Sequence, residues 1–280
     1  MAWGRSGWRI MRQAVLYATV ICACFMVGFP IFWALVSSLK VREEMFAFPV
    51  KVVPSALTLR HYDLLWSTTR IPRFLMNSLV VAVGTSIITT VGAALGAYSL
   101  TRFPFSGRKY VARGILVCYM LPSILLSIPL FIMFRQMAIT NTRIGLMGAH
   151  VTTVLPFVIW LLWGFFREIP LEIEEAAKID GAGRLRVLLT VFVPIALPGI
   201  AAGMIFSFIV SWAEYLFASV MATKEEVMTV PVFLAMMSGL DILRWEFMLA
   251  AVGMITLPVL IIVAVFQQYL LRGFAAPTSK

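Results

Sequence analysis

A short polar cassette in the second half of this chain carries the residues whose types and spacing are most informative. Its members are Glu175, Ala176, Ala177, Asp180 and Gly181, and Pro194 and Pro198 follow at fixed offsets. No nucleophile with a nearby histidine and no metal-ligand cluster accompanies them in the sequence, so the pattern indicates protein contact rather than covalent chemistry. Apolar stretches flank the cassette on both sides. A charged helix kept between two membrane spans typically touches a partner in the cytosol.

The cassette also carries the signals of a short helix with defined ends. Pro170 suits the first helical turn, where its missing N–H costs nothing, and glutamates crowd the first turns, where the helix dipole favours negative charge. Glu174 and Lys178 are four residues apart in the favourable order for an ion pair. Gly181 ends the predicted helix, because glycine adopts the left-handed turn without strain. A second short helix is predicted to begin near Arg184.

One face of the predicted helix is small and only mildly apolar, formed by Ile173, Ala176 and Ala177. The alanines would let this face sit closely in a groove on another protein. The alternative is a solvated surface loop whose charges keep it out of the bilayer. The offsets to Gly181 and Pro194 favour the docking interpretation.

The composition places the chain in a membrane. Of its 280 residues, 61% are hydrophobic and 13% charged, and the mean hydropathy is +0.94, whereas soluble domains are about half apolar and a quarter charged. The net charge of +10 would also suit nucleic acid. We reject that partner, because the basic residues lie in short loops beside the apolar stretches, as orientation in a bilayer requires.

Six segments are apolar enough to cross a bilayer, for which about 20 residues are needed. The fold class predicted is therefore an all-α polytopic membrane protein with six transmembrane helices. Residues 1–13 are predicted to form a cytosolic N-terminus, residues 14–271 the six-span domain with the cassette in its loop 167–190, and residues 272–280 a cytosolic tail. The predicted spans are Ala14–Leu39, Phe74–Leu100, Tyr110–Phe134, Leu146–Phe166, Val191–Phe217 and Phe247–Leu271.

The short loops indicate the orientation of these spans. The loop Thr101–Arg113 carries four basic residues and the loop Arg135–Gly145 only two, so the former is predicted to be cytosolic and the latter external. An even number of spans then puts both termini in the cytosol. The first loop, Lys40–Arg73, is external in this scheme although it holds six basic residues.

Prolines and glycines mark special positions in the spans. Prolines occur in spans three to six, which indicates either ordinary kinks or helices that splay around a pathway. Two GxxxG patterns, Gly92–Gly96 and Gly199–Gly203, allow close approach of a second helix. We expect that helix to belong to this chain rather than to another subunit.

Several other polar and aromatic residues are candidates for contact with a ligand. Glu214 lies near the end of an apolar span and is a candidate for the substrate pathway, with a structural or interfacial role as the alternative. Trp160 and Trp163 are candidates for the same pathway, where their rings could stack on a ligand, although core packing is the simpler interpretation. His61 and His150 support no metal or catalytic assignment. The three cysteines (Cys22, Cys24 and Cys118) lie in apolar stretches and are predicted to be buried as small hydrophobic residues.

Taken together, these motifs resemble the carbohydrate-importer permeases of the ABC superfamily, in the branch typified by the second permease of maltose transporters. Besides the cassette, the resemblance includes the end of the first span, the start of the second, the segment after it, and the ends of the fifth span and of the chain. These motifs are Ser37-Ser38-Leu39-Lys40, Thr58-Leu59 with Tyr62, Asn77-Ser78, Ala97-Tyr98, Arg102-Phe103-Pro104-Phe105, Gly107-Arg108, Ser211-Trp212 and Arg272-Gly273.

The resemblance implies a mechanism and a set of partners. The cassette is similar to the coupling helix that inserts into a cytosolic ATPase, with Glu175, Ala176, Ala177 and Gly181 as coupling residues and Asp180 supporting the turn. The chain itself has no phosphate-binding loop of the Gly-x₄-Gly-Lys-Ser/Thr type. ATP and Mg²⁺ would therefore be bound by a separate ATPase dimer. A homologous second permease and an extracytoplasmic solute-binding protein would complete the complex in a bacterial inner membrane.

The implied function is ATP-driven uptake of a mono-, di- or oligosaccharide, or of a related polyol or glycerol phosphate. The loop Ser219–Glu246 is a candidate contact for the binding protein. Two motifs depart from the family: Ala213 stands between Trp212 and Glu214 where Asn is common, and the tail ends Ala276-Pro277-Thr278-Ser279-Lys280. The alternatives are an ion-coupled secondary transporter, for which repeats and broken helices are expected, and a membrane enzyme.

Overall fold

The computed structural model describes residues 3–238 and 244–274, and these residues are almost entirely helical. Within them, extended pairing is limited to one isolated bridge between Lys40 and Leu57. The helices are α1 Trp3–Ser38, α2 Arg42–Met45, α3 Arg60–Thr68, α4 Ile71–Arg102, α5 Arg108–Met120, α6 Ser123–Gln136, α7 Arg143–Glu168 and α8 Leu171–Ile179. They continue with α9 Arg184–Val187, a π-helical turn Leu188–Phe192, α10 Val193–Ile195, α11 Leu197–Trp212, α12 Leu216–Met221, α13 Val230–Ser238 and α14 Trp245–Phe274.

Four helices (α1, α4, α7 and α14) are long and apolar enough to cross a membrane. They contain the predicted spans one, two, four and six, except that α1 ends at Ser38. Helix α1 also begins well before the predicted first span. In the described part of the chain the number of candidate membrane spans reaches six only if each of two bent helix pairs forms one span. The last predicted tail residues, 275–280, lie outside the described residues.

The third and fifth predicted spans are broken rather than kinked. Helices α5 and α6 meet at 97°, and the segment Leu185–Ile195 meets α11 at 80°. In the first break, Leu121 and Pro122 are both extended, with ψ of 129° and 126°. Proline removes a backbone donor and disfavours helical geometry in the residue before it, so two residues leave the helix together. Broken helices, expected only for the secondary-transporter alternative, are thus a feature of this fold.

The chain divides into two compact units, the first made of Met1–Thr69 with Met237–Thr256. In this unit Lys40 is fully buried, with its ammonium 4.3 Å from the centroid of the Trp33 ring and donating to the Lys51 carbonyl at 2.7 Å. The Lys40 carbonyl lies 3.0 Å from His61 Nε2, and the hydroxyls of Ser38 and Tyr62 are 2.7 Å apart. These motif residues therefore fold the first loop back onto the end of α1.

The second unit, Arg70–Met236 with Leu257–Lys280, has its core between α4, α7 and α11. Both GxxxG patterns pack within it, as predicted. A Cβ at Gly96 would lie 3.4 Å from the Ile159 side chain, and one at Gly199 only 2.6 Å from the Phe165 ring. The two patterns thus let α4 and α11 approach the central helix α7.

The prediction for the cysteines was wrong. Cys22, Cys24 and Cys118 are all exposed in this chain. Helix α1, which carries two of them, is exposed over most of its length. An apolar sequence indicates that a residue avoids water, but it does not distinguish a face toward the protein from a face toward lipid or a partner.

Candidate functional site

The cassette is a helix followed by a tight glycine turn, as predicted. Helix α8 runs from Leu171 to Ile179 and Pro170 directly precedes it. Gly181 has φ of +81°, and the Ala182 amide donates to the Ala177 carbonyl at 3.0 Å. This bond runs five residues back along the chain to the third residue from the end of α8, which is the Schellman pattern of a helix C-terminus. Helix α9 then starts at Arg184.

A buried ion pair holds the inner side of the cassette. Glu174 Oε2 lies 2.8 Å from Arg102 Nε at the end of α4, and the two side chains are only 4% and 7% exposed. Tyr98 donates its hydroxyl to the other carboxylate oxygen at 3.3 Å. The Arg102 guanidinium also donates to the Ile169 carbonyl at 2.7 Å and stacks over the Phe192 ring at 4.6 Å. Helix α8 is therefore joined through Arg102 to α4 and to the π-helical turn that contains Phe192.

This arrangement differs from the local pairing that the sequence suggests. The pattern pairs Glu174 with Lys178, whose side chain lies outside the described residues, whereas the structure shows Glu174 bound to Arg102. The sequence signal for this pair was Arg102 at the end of a predicted span, since a charge beside an apolar segment predicts that a partner exists but not which residue it is.

The outer side of the cassette is open. Glu175, Ala176, Asp180 and Gly181 are exposed, while Ala177 is half-buried against the core. Large apolar side chains are exposed beside them, among them Leu171 at 51%, Ile179 at 87% and Leu185 at 67%. Large apolar side chains exposed beside charged ones are typical of a surface that contacts another protein.

A cavity of about 280 Å³ lies at the break between α5 and α6. Leu121 and Ser123 line it from the break, Thr153 from α7, Phe206 from α11, and Glu214 from beyond the end of α11. Non-helical backbone at membrane depth is tolerated where it borders a cavity or is buried in protein. The cavity thus lies where the fold interrupts a span.

The carboxylate of Glu214 is held by a buried hydrogen-bond chain. His150 Nε2 lies 3.0 Å from Glu214 Oε2, and His150 Nδ1 lies 2.7 Å from the Ser211 hydroxyl. The amides of Phe217 and Ala218 donate to the same carboxylate at 2.9 and 3.1 Å. Glu214 therefore orients the start of α12 as well as facing the cavity.

Sequence reasoning assigned His150 no metal or catalytic role, and it did not predict the buried pairing with Glu214. The signal was available, because an ionisable residue inside an apolar span needs a partner. The Ser–His–Glu order resembles a hydrolase triad only in composition. Ser211 is buried and bonds Nδ1 while the acid bonds Nε2, the reverse of the arrangement that activates a serine.

The predicted pathway residues do not come together. Trp160 and Trp163 line a separate cleft with basic side chains of α5 and α7, whereas Glu214 lines the cavity described above. Within the described residues, no three His, Cys, Asp or Glu side chains are grouped to hold a metal ion.

The segment after α12 is pinned to the starts of α4 and α7. Asn77 donates its amide to the carbonyls of Glu226 and Met228, both at 2.9 Å, and Arg70 forms an ion pair with Glu225 at 2.7 Å. Asn141 accepts from the Thr223 hydroxyl and the Lys224 amide. The side chains of residues 223–226 remain exposed. Residues 239–243 of the predicted binding-protein loop lie outside the described residues.

Comparison with known proteins identifies the family of the chain. Residues 88–275 match the family "Binding-protein-dependent transport system inner membrane component". The chain is 35% identical to the inner membrane ABC transporter permease protein YcjP of Escherichia coli, covering 97% of this chain and 98% of that one. It is 29% identical to the trehalose/maltose transport system permease protein MalG of Thermococcus litoralis, with 97% and 98% covered.

The fold is also found in a solved structure. A bacterial ABC transporter involved in import of the acidic polysaccharide alginate contains a chain that superposes with a TM-score of 0.79, at 22% identity, over 96% of this chain and 98% of that chain. At this identity the similarity concerns the fold alone. With the family match over more than half of its length, the chain belongs to the inner membrane components of binding-protein-dependent transport systems, and it is a multi-pass permease of the ABC transporter type.

Proposed function

We propose that this chain is the transmembrane subunit of an ATP-driven sugar importer, with the cassette as its coupling helix in the cytosol. Each bent helix pair counts as one span, which gives six spans and places both termini in the cytosol. The substrate class is a mono-, di- or oligosaccharide or a related polyol or glycerol phosphate. Support comes from relatives such as the trehalose/maltose permease of Thermococcus litoralis.

One observation carries the coupling role: the two sides of helix α8 are built differently. The inner side is fastened by the buried Glu174–Arg102 pair, and the outer side exposes Glu175, Asp180 and apolar side chains. A helix that is bound to the permease on one side and exposed on the other can transmit the movement of a partner to the membrane spans. We propose Glu175, Ala176, Ala177, Asp180 and Gly181 as the contact with the ATPase, which binds ATP and Mg²⁺.

A charge reversal tests this contact. Glu175→Lys should abolish sugar uptake and release the ATPase during purification, while the permease still reaches the membrane. Glu43→Lys is the matched control, because Glu43 is an equally exposed glutamate far from the cassette in sequence. If Glu175→Lys retained both the ATPase and normal uptake, the coupling assignment would be refuted.

The cavity at the α5–α6 break is our candidate for the pathway that this chain forms with a second permease. Its walls combine aromatic and aliphatic surface with hydroxyls and the Glu214 carboxylate, a mixture that suits sugar rings. Thr153→Val should raise the KM for uptake without lowering the amount of assembled complex. An unchanged KM would exclude contact between this side chain and the sugar.

The pinned segment at residues 223–226 is our candidate contact for an external solute-binding protein. Its backbone is fixed by Asn77 and Asn141, so the exposed side chains of Lys224 and Glu226 project from a rigid base. Reversing both charges should weaken binding-protein-dependent uptake and leave basal ATPase activity unchanged. Undiminished uptake at limiting binding protein would count against this surface.

Dependence on the ATPase separates this function from ion-coupled transport. Uptake should stop when the partner ATPase is inactivated and should persist when ion gradients are collapsed with ATP maintained. The opposite result would support the secondary-transporter alternative.

A further inference from the structure

A basic cleft of about 440 Å³ lies between helices α5 and α7 and is not used by the proposed transport pathway. Four cationic side chains line it: Arg108, Lys109 and Arg113 from α5, and Arg167 from α7. The residues that line it include no acid. Four like charges around one cleft repel each other unless an anion neutralises them.

The cleft is graded from charged to apolar along both helices. Helix α5 begins at Arg108 and α7 ends at Glu168, so the cations lie at the helix ends that meet on one side. Leu116 lies one turn further along α5 than Arg113, and Trp160 lies two turns before Arg167 on α7. Both are exposed, at 38% and 45%. The cleft therefore offers a cationic rim above an apolar strip.

Two of the cations are held in place and two are free to bind. Arg108 donates to the Thr101 carbonyl at 3.2 Å, and the Arg167 guanidinium lies 5.2 Å from the centroid of the Trp163 ring. Lys109 and Arg113 are exposed, and no acid among the described residues forms an ion pair with either of them. The first turn of α5 also contains no acidic residue, so the positive helix end adds to the field of the side chains.

We propose that this cleft binds the headgroup of an anionic glycerophospholipid, with an acyl chain along Leu116 and Trp160. The cationic rim alone would suit any phosphate. The exposed apolar strip one to two turns deeper favours a ligand that is anionic at one end and apolar at the other. Basic pockets between transmembrane helices bind such headgroups, and tryptophan is common at the depth where headgroups meet acyl chains.

Lipid retention by the purified transport complex tests this proposal. The complex is placed in nanodiscs of phosphatidylcholine with a minor fraction of phosphatidylglycerol, and the retained lipid is counted by native mass spectrometry. The double variant Lys109→Gln/Arg113→Gln should retain phosphatidylglycerol about 25-fold less well, since each basic residue near an anionic surface contributes roughly a factor of five. Retention of phosphatidylcholine should not change.

A matched double variant distinguishes lipid binding in the cleft from attraction of the lipid by the overall positive charge of the protein. Arg9→Gln/Arg12→Gln removes the same charge from two exposed positions on α1 and should leave retention unchanged. The conservative pair Lys109→Arg/Arg113→Lys should also retain the lipid. Size-exclusion profiles and ATPase co-purification report whether each variant still assembles.

Three outcomes would overturn the proposal. Equal losses in the cleft and control variants would indicate non-specific attraction. No loss in the cleft variant would mean that lipid is not bound there or that a partner subunit fills the cleft. Displacement of phosphatidylglycerol by inorganic phosphate at constant ionic strength would identify a site for soluble anions instead.

Discussion

Two adjacent glutamates on helix α8 have opposite environments. Glu174 is buried against Arg102, whereas Glu175 is exposed. Successive residues of an α-helix point about 100° apart, so one step along the chain turns a carboxylate from the interior to the solvent. The comparison shows that the acidic pattern of the cassette combines two kinds of position. One glutamate attaches the helix to the permease, and the other is available to a partner.

The inner position is the more demanding of the two. A buried carboxylate loses its hydration and is tolerated only when it is paired and hydrogen-bonded. Glu174 meets both conditions through Arg102 and Tyr98. Such a pair is weak evidence for added stability, yet it specifies a single orientation, since any other docking of α8 leaves two charges unpaired.

The largest effect is expected from Glu174→Gln, which keeps the shape of the side chain and removes its charge. Arg102 then becomes a buried, unpaired cation, and losing one partner of a buried pair costs about 3 kcal/mol or more. We expect a clear fall in the temperature at which the purified permease aggregates. Glu175→Gln is the control and should leave that temperature nearly unchanged.

A double substitution sharpens this result. Arg102→Met with Glu174→Leu removes both charges and should recover much of the stability lost in Glu174→Gln, because apolar replacements of a buried pair are often neutral. Equal aggregation temperatures for Glu174→Gln and Glu175→Gln would show that the two positions do not differ as described.

The next effect concerns the turn that ends the helix. Gly181→Ala should destabilise the cassette by about 1–2 kcal/mol, since a Cβ is unfavourable in the left-handed conformation. The space around Gly181 is open, so the cost comes from the backbone alone. Gly183 also has open space but no positive φ, and Gly183→Ala is the matched control. Faster hydrogen exchange of the α8 amides in Gly181→Ala only would confirm the difference.

Features set by neighbouring residues were predictable from the sequence. The cassette helix, its end at Gly181, the short helix at Arg184 and the positions of the four unbroken spans all follow from local pattern. Glycine and proline affect the backbone only within a few residues of their own position. An apolar run of sufficient length indicates by itself that the segment is buried in lipid or protein. Packing of both GxxxG patterns within this chain was also predicted, but the identity of the partner helix, α7, was not.

The sizes of the two helix breaks were not predictable in this way. Pro122 indicates that a helix is interrupted, but the 97° between α5 and α6 depends on how both halves pack against other helices. A kink and a break have the same local sequence signal. The prediction that the cysteines are buried was wrong for a similar reason, because helix α1 is apolar on faces that this chain does not cover.

Pairs distant in sequence were also missed. Three helices separate Arg102 from Glu174, and four separate His150 from Glu214 if the π-helical turn is set aside. A charge in an apolar environment predicts that a partner exists. Only the fold determines which partner it is.

A smaller effect should follow from Tyr98→Phe, which removes one donor from the buried carboxylate. The hydrogen bond is long, at 3.3 Å, so we expect a loss of about 0.5–1 kcal/mol. The double variant Tyr98→Phe/Glu174→Gln should lose less stability than the two single variants lose together, because the tyrosine donor and the carboxylate form one interaction. Fully additive effects in the aggregation assay would mean that the tyrosine stabilises the helix by packing alone.

The smallest effect is expected at Glu172, an exposed glutamate in the first turn of the same helix. Its charge faces the positive end of the helix dipole, so Glu172→Gln should cost only about 0.3–0.5 kcal/mol. Salt screens exposed charges but hardly reaches buried ones. Raising the ionic strength should therefore abolish the effect of Glu172→Gln on exchange of the α8 amides while leaving that of Glu174→Gln intact. If salt reduced both effects equally, Glu174 would be as accessible to solvent as Glu172, and the distinction between the two sides of the helix would fail.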